Sequence, residues 1–165
     1  TCGYHYQLPG EDTKTSFPTH ETPLYKNLLV TARPDVVVIE FGTNYIGQEK
    51  IIPADVAQIF ASIQDAQEQL VISTLIKCYW IGPPASKKFG KKVDAASALI
   101  KKAVESNPNV PCNYFNSADP KVTRFVGTDP AGIHYHGEAG KQMSEHWATK
   151  AFDWIYSSLN AASEP

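Results

Sequence analysis

Residues 34–44, Pro-Asp-Val-Val-Val-Ile-Glu-Phe-Gly-Thr-Asn, constrain the fold more than any other stretch of the chain. A continuous β-branched run closed by Gly-Thr-Asn is the pattern of a strand buried on both faces of a parallel sheet. Parallel neighbours need long crossovers, and the downstream sequence supplies one. From Pro53 the apolar residues Val56, Ile59, Phe60, Ile63 and Leu70 recur at three- and four-residue steps, which predicts an amphipathic helix with proline in its first turn. Residues 69–76, Gln-Leu-Val-Ile-Ser-Thr-Leu-Ile, predict the next strand and complete a βαβ unit.

The alternation continues. A helix is expected over 93–106, striped by Ala96, Leu99, Ile100, Ala103 and Val104 and stopped by Asn-Pro-Asn-Val-Pro. A strand follows over 110–116. A last helix over 138–159 carries Met143, Trp147, Ala151, Ile155 and Leu159 on one face, and residues 24–32 form a helix before the first clear strand. Together these predict an α/β fold, a three-layer α/β/α sandwich around a parallel sheet, as a single domain over residues 1–165. A net charge of −2 gives no electrostatic reason to expect nucleic acid or an anionic membrane as partner, so the lysines at 87–92 and 101–102 read as solvated faces. No apolar run is long enough for a membrane span. The spacing of Cys2, Cys78 and Cys112 fits no zinc pattern. With a strand at 69–76, Cys78 falls past a carboxyl end while Cys112 opens the next strand, ~15 Å away at the opposite edge of the sheet. No Cys78–Cys112 disulfide is expected on that placement.

Ligands of parallel sheets bind beyond the carboxyl ends of the strands. The loops expected there are Gly42-Thr43-Asn44, Trp80 to Pro84, the turn after residue 116, and the segment Gly-Thr-Asp-Pro-Ala-Gly-Ile-His-Tyr-His at 127–136. Val-Val-Val-Ile-Glu-Phe-Gly-Thr-Asn, followed about ninety residues later by Asp129 and Gly-Ile-His before a terminal helix, resembles the SGNH (GDSL-type) hydrolases. The resemblance implies a flavodoxin-like sandwich in which Asn44 donates to an oxyanion hole and His134 is the base oriented by Asp129. It also implies a second oxyanion donor from a backbone N–H, with Gly10 the choice and Gly3 the fallback. The chemistry fits these residue types. An amide aimed at a developing oxyanion can be worth ~3 kcal/mol, and an imidazole held by a carboxylate can take a hydroxyl proton near neutral pH.

Asp129 stands five residues before His134 where the family spaces its acid by three, which Pro130-Ala131 explains as an insertion, and Tyr45 stands where the family has Asp. The sequence has no Gly-Asp-Ser. Hence the nucleophilic serine and the first strand are expected outside this chain, with an N-terminal segment of the same precursor completing the sheet and residues 1–13 forming the second strand and its loop. The expected function is a carboxylester hydrolase or acyltransferase without metal or cofactor, acting on a small-molecule or carbohydrate ester such as an acetylated sugar. Tyr45, Trp80 and His136 are the expected substrate contacts. Export or a periplasmic location is the favoured compartment. Three alternatives stay open: an inactive module that binds an acylated glycan, a metal site at His134 and His136 completed by Glu138 or His146, and Thr1 as an N-terminal nucleophile with its own amine as base.

Overall fold

The computed structural model describes residues 4–6, 15–17, 25–70, 76–121 and 127–161. Strands β1 (Tyr4–Tyr6) and β2 (Thr15–Phe17) pair antiparallel with each other. This corrects the expectation that the first residues form a strand of the parallel sheet. Helix α1 (Tyr25–Ala32) then leads into β3 (Val36–Glu40), and α2 (Ile52–Leu70), β4 (Lys77–Ile81), α3 (Lys92–Glu105), β5 (Cys112–Phe115) and α4 (Gly137–Ala161) follow. Strands β3, β4 and β5 form a parallel sheet in that order.

Alternation of side chains along the strands divides the core in two. Ile39, Cys78, Trp80, Cys112 and Tyr114 face one side, where Leu29 of α1, Val56, Phe60 and Ile63 of α2, and Ile100 and Val104 of α3 pack on them. Val36, Tyr79, Ile81 and Phe115 face the other side and meet Trp147, Ala151, Trp154 and Ile155 of α4. Both crossover helices thus lie on one face, as the uniform hand of βαβ connections requires for sequential strands. The α/β architecture with helices on both faces is as the sequence predicts.

One strand is displaced from its expected place. The apolar run at 69–76 begins inside the last turn of α2, where Leu70 is half-buried one turn beyond the buried stripe Ile59, Ile63, Ala66, and the strand itself is Lys-Cys-Tyr-Trp-Ile at 77–81. Residues 71–75 lie outside the described residues. The shift overturns the expectation about the cysteines. Cys78 and Cys112 each stand near the start of their strand and are register partners, with α-carbons 4.4 Å apart, and they form a disulfide. The parallel order holds; the misplaced strand boundary made the bond look impossible.

Candidate active site

Asp129 and His134 meet because the loop before α4 folds as a small hairpin. The Gly132 N–H donates to the Asp129 carbonyl at 2.9 Å, closing a turn over Pro130-Ala131. Across it Gly127 N–H donates to the Gly132 carbonyl, and Thr128 N–H to the His134 carbonyl at 2.7 Å. Pro130 and Ala131 therefore sit in the turn, and a sequence distance of five becomes a contact. His134 Nδ1 lies 2.9 Å from Asp129 Oδ2, while Asp129 Oδ1 accepts from the Ile133 N–H at 2.6 Å. The loop is anchored from outside by Lys88 N–H, which donates to the Ala131 carbonyl.

The Ile133 N–H, and after it the His134 ring, stabilise the carboxylate and hold Asp129 down at about 2. A folded pKa below the ordinary value of 3.8 means that this contribution to stability is complete above that value and is lost as pH falls towards 2. Carbon-detected NMR titration of the Asp129 carboxyl should give a midpoint near 2. In His134→Ala it should stay below 3.8, because the first cause is the backbone donor; a return to the ordinary value would make the imidazole the dominant partner.

Gly127 is held by space. A Cβ there would come 2.4 Å from the Ile133 carbonyl carbon and 2.6 Å from His134 N, backbone atoms that cannot move without opening the hairpin. Gly127→Ala should cost about 1–3 kcal/mol and break the dyad. The measurements are the melting temperature and the downfield proton of a His–Asp hydrogen bond, and an unchanged proton resonance would show that the hairpin absorbs the methyl group.

Asn44 stands in a 3₁₀ turn, Thr43–Tyr45, directly after β3. It lines a cavity of about 180 Å³ with Glu40, Phe41, Gly42, Gly82, Pro83 and Trp147 among the other walls. Gly42 is required there, since a Cβ would meet Pro83 Cδ at 2.6 Å. Gly82 lies on the Tyr114 hydroxyl, which bonds Ser97 Oγ at 2.7 Å; Ser97 in turn donates to Asn116 Oδ1. Burial, ahead of the opposing Ser97 bond, pushes the Tyr114 phenol up to about 12, so this floor is neutral and fixed.

Asp129 and His134 are not walls of that cavity. The link is Tyr135, next in sequence to His134, whose ring lies 6.1 Å from that of Trp147. The Trp147 indole N–H donates to Ser117 Oγ at 2.9 Å and so joins α4 to the turn after β5.

Other expected site residues fall differently. Trp80 is fully buried, with its indole N–H bonded to the Phe41 carbonyl at 2.8 Å. Tyr45 is buried edge-on to Phe41. Neither ring is free to stack on a sugar, because core packing claims both faces. His136 is exposed, 5.9 Å from the His134 ring. Gly10, Gly3 and Thr1 lie outside the described residues. Among the described residues, no group of three or more His, Cys, Asp and Glu is placed to hold a metal ion. Ser62, Ser106, Ser144, Ser157 and Ser158 each donate to a carbonyl of their own helix. Ser117 is fully buried, and the Ser86 hydroxyl turns to the Ala131 carbonyl. None of these serines bonds to His134.

Sequence reasoning passed over two residues, Glu40 and Trp147, as site residues. Glu40 is the one charge in the apolar run of β3. At the exposed end of the strand its carboxyl is crowded by apolar groups, and this loss of water raises its pKa. Burial, and then the charge of Glu40, raises that of Tyr135. The lone glutamate in a buried run was the available signal; Trp147 was masked by its place in the apolar stripe of α4.

No protein-family model, curated protein or solved structure matches the chain.

Proposed function

We propose that this chain carries the acid, base and oxyanion side chain of an SGNH-type carboxylester hydrolase or acyltransferase whose serine comes from a polypeptide segment other than residues 1–165. The observation that carries this reading is the Asp129–His134 pair. The carboxylate is fixed by the Ile133 N–H and bonded to Nδ1, and 67% of the His134 side chain stays exposed. That arrangement sets the tautomer and leaves Nε2 for an incoming hydroxyl. Nε2 takes the serine proton as oxygen attacks the ester carbonyl; the imidazolium, balanced by Asp129, then protonates the leaving alcohol. Water or a second alcohol reverses the sequence on the acyl-enzyme. The Asn44 amide at the carboxyl end of β3 would hold the oxyanion, and the 180 Å³ cavity behind it has room for a short acyl group such as acetyl.

The test is phosphonate labelling of the protein together with its serine-bearing segment: one labelled serine, with labelling lost in His134→Ala, supports the reading. A protein that turns over p-nitrophenyl acetate without any labelled serine sinks it. A second reading, a module that binds acylated ligands without cleaving them, is favoured by the absence of a serine on His134 among those placed above; it predicts acetylated-sugar binding with no turnover. Within the hydrolase reading, Asn44→Ala should lower kcat by about 10²-fold with little change in KM, because the amide serves the transition state more than the ground state. A raised KM at constant kcat would instead make Asn44 a positioning residue.

A further inference from the structure

Glu40 carries a charge that nothing in the fold answers. It ends β3 and forms no hydrogen bond or ion pair among the described residues. Crowding by apolar groups raises its pKa, and no neighbouring donor or charge offsets the loss of water. Burial, and then this carboxylate, pushes the Tyr135 phenol up, yet the phenol oxygen is buried and makes no hydrogen bond. A carboxylate so placed either gives up its charge or is stabilised by a cation.

Glu40 and Asn44 are walls of the same cavity of about 180 Å³. The Thr43 and Asn44 side chains likewise have no hydrogen-bond partner among the described residues. Its other walls are apolar side chains and glycine, including the half-buried indole of Trp147, and among the described residues no lysine or arginine lines it. An aromatic wall beside a carboxylate is the pairing that attracts an ammonium group. The volume is about that of a cavity holding one benzene ring, so a cationic ligand that fills it is small. Glu40 and Asn44 are both exposed, which leaves the ligand a way in from solvent.

We infer that this cavity is the acyl site for an α-aminoacyl ester, glycyl or alanyl in size, and that Glu40 is its specificity-determining residue. The inference rests on the hydrolase reading, in which Asn44 meets the carbonyl oxygen. In a glycyl ester the ammonium group stands one carbon beyond that carbonyl. An acyl group filling the cavity then presents its oxygen to Asn44 and its charge to Glu40 and the Trp147 ring. The bond changes are those of any ester: serine Oγ bonds the acyl carbon, the ester C–O bond breaks, and the leaving alcohol takes the proton that His134 removed from the serine. The ammonium group keeps its protons throughout. An acetyl group fits but leaves the carboxylate unanswered, and a hydroxyacyl group donates a hydrogen bond without cancelling the charge. A metal ion finds no group of three acidic, histidine or cysteine ligands among the described residues.

Glycinamide and propionamide are the probes, since they match in shape, differ in charge and resist the hydrolysis that an ester undergoes. At pH 7, below the ordinary α-amino range of about 7.7–8.0, glycinamide should bind at least tenfold more tightly and shift the NMR signals of residues 42–44. Glu40→Gln, an isosteric change at an exposed position, should weaken glycinamide binding to the level of propionamide. In the unaltered protein, glycinamide and not propionamide should bring down the carbon-detected titration midpoint of the Glu40 carboxyl, a readout that needs no variant. With the serine-bearing segment present, the ratio of kcat/KM for glycine methyl ester over methyl propionate should fall at least tenfold in Glu40→Gln. Equal affinity for the two amides, a preference that survives Glu40→Gln, or ethylammonium bound as tightly as glycinamide overturns the inference. So does a preference seen in residues 1–165 but lost on adding the segment, because a basic side chain of the segment then holds Glu40. If the amide preference depends on Glu40 but neither ester is turned over, the cation site stands and the hydrolase reading falls. If both esters are turned over at a ratio indifferent to Glu40→Gln, the hydrolase reading stands and the aminoacyl site falls.

Discussion

On the hydrolase reading, His134→Ala should lower ester turnover of the protein together with its serine-bearing segment by about 10²- to 10⁴-fold, the range expected when a general base is removed. The fold should survive, since the ring is two-thirds exposed and its backbone carbonyl, which accepts from Thr128, is untouched. His136→Ala should cost far less: that residue is held through its backbone, its N–H donating to Thr128 Oγ1, while no carboxylate orients its ring among the described residues. Turnover of p-nitrophenyl acetate with circular dichroism as control decides the matter. A His136 variant more damaged than the His134 variant would mean that the base has been placed two residues out of register, and equal activity in all three proteins would remove the dyad from the reaction.

Removing the disulfide should produce the largest change in stability. Cys78 and Cys112 are 34 residues apart in sequence, and closing a loop of that length restricts the unfolded chain by roughly 4 kcal/mol in the chain-entropy account. For a chain of this size the loss corresponds to a fall in melting temperature on the order of 10 °C. Both thiols are buried at the amino-terminal ends of β4 and β5, away from Asn44 at the carboxyl edge, so Cys78→Ala with Cys112→Ala should lower stability while leaving turnover below the transition nearly intact. Thermal unfolding of wild type with and without reductant, beside the double variant, measures it. A reductant-insensitive wild type matching the variant would show that the thiols are unpaired in solution.

The sequence by itself determined the class of fold and singled out Asp129 and His134, which the structure brings into contact. The β-branched run of β3 and the three- and four-residue stripes of α2, α3 and α4 are local patterns, and burial on both faces of a sheet or along one face of a helix is what such patterns encode. Only tertiary structure decided where those elements end and what they bring together. Residues 69–76 could be helix end or strand by composition; the buried stripe of α2 claimed the first of them, and the register of the sheet then set Cys78 against Cys112. Trp80 and Tyr45 look like rim aromatics in a list of loop residues, yet both are buried because core packing is a property of three elements meeting. Asp129 and His134 show the same division: their types announce acid and base, but a spacing of five becomes a hydrogen bond only through the turn at Pro130-Ala131 and the close approach that Gly127 permits. That β3 has one partner strand among the described residues belongs wholly to the tertiary level, because whether a strand has one neighbour or two depends on the chain segments around it and not on its own residues.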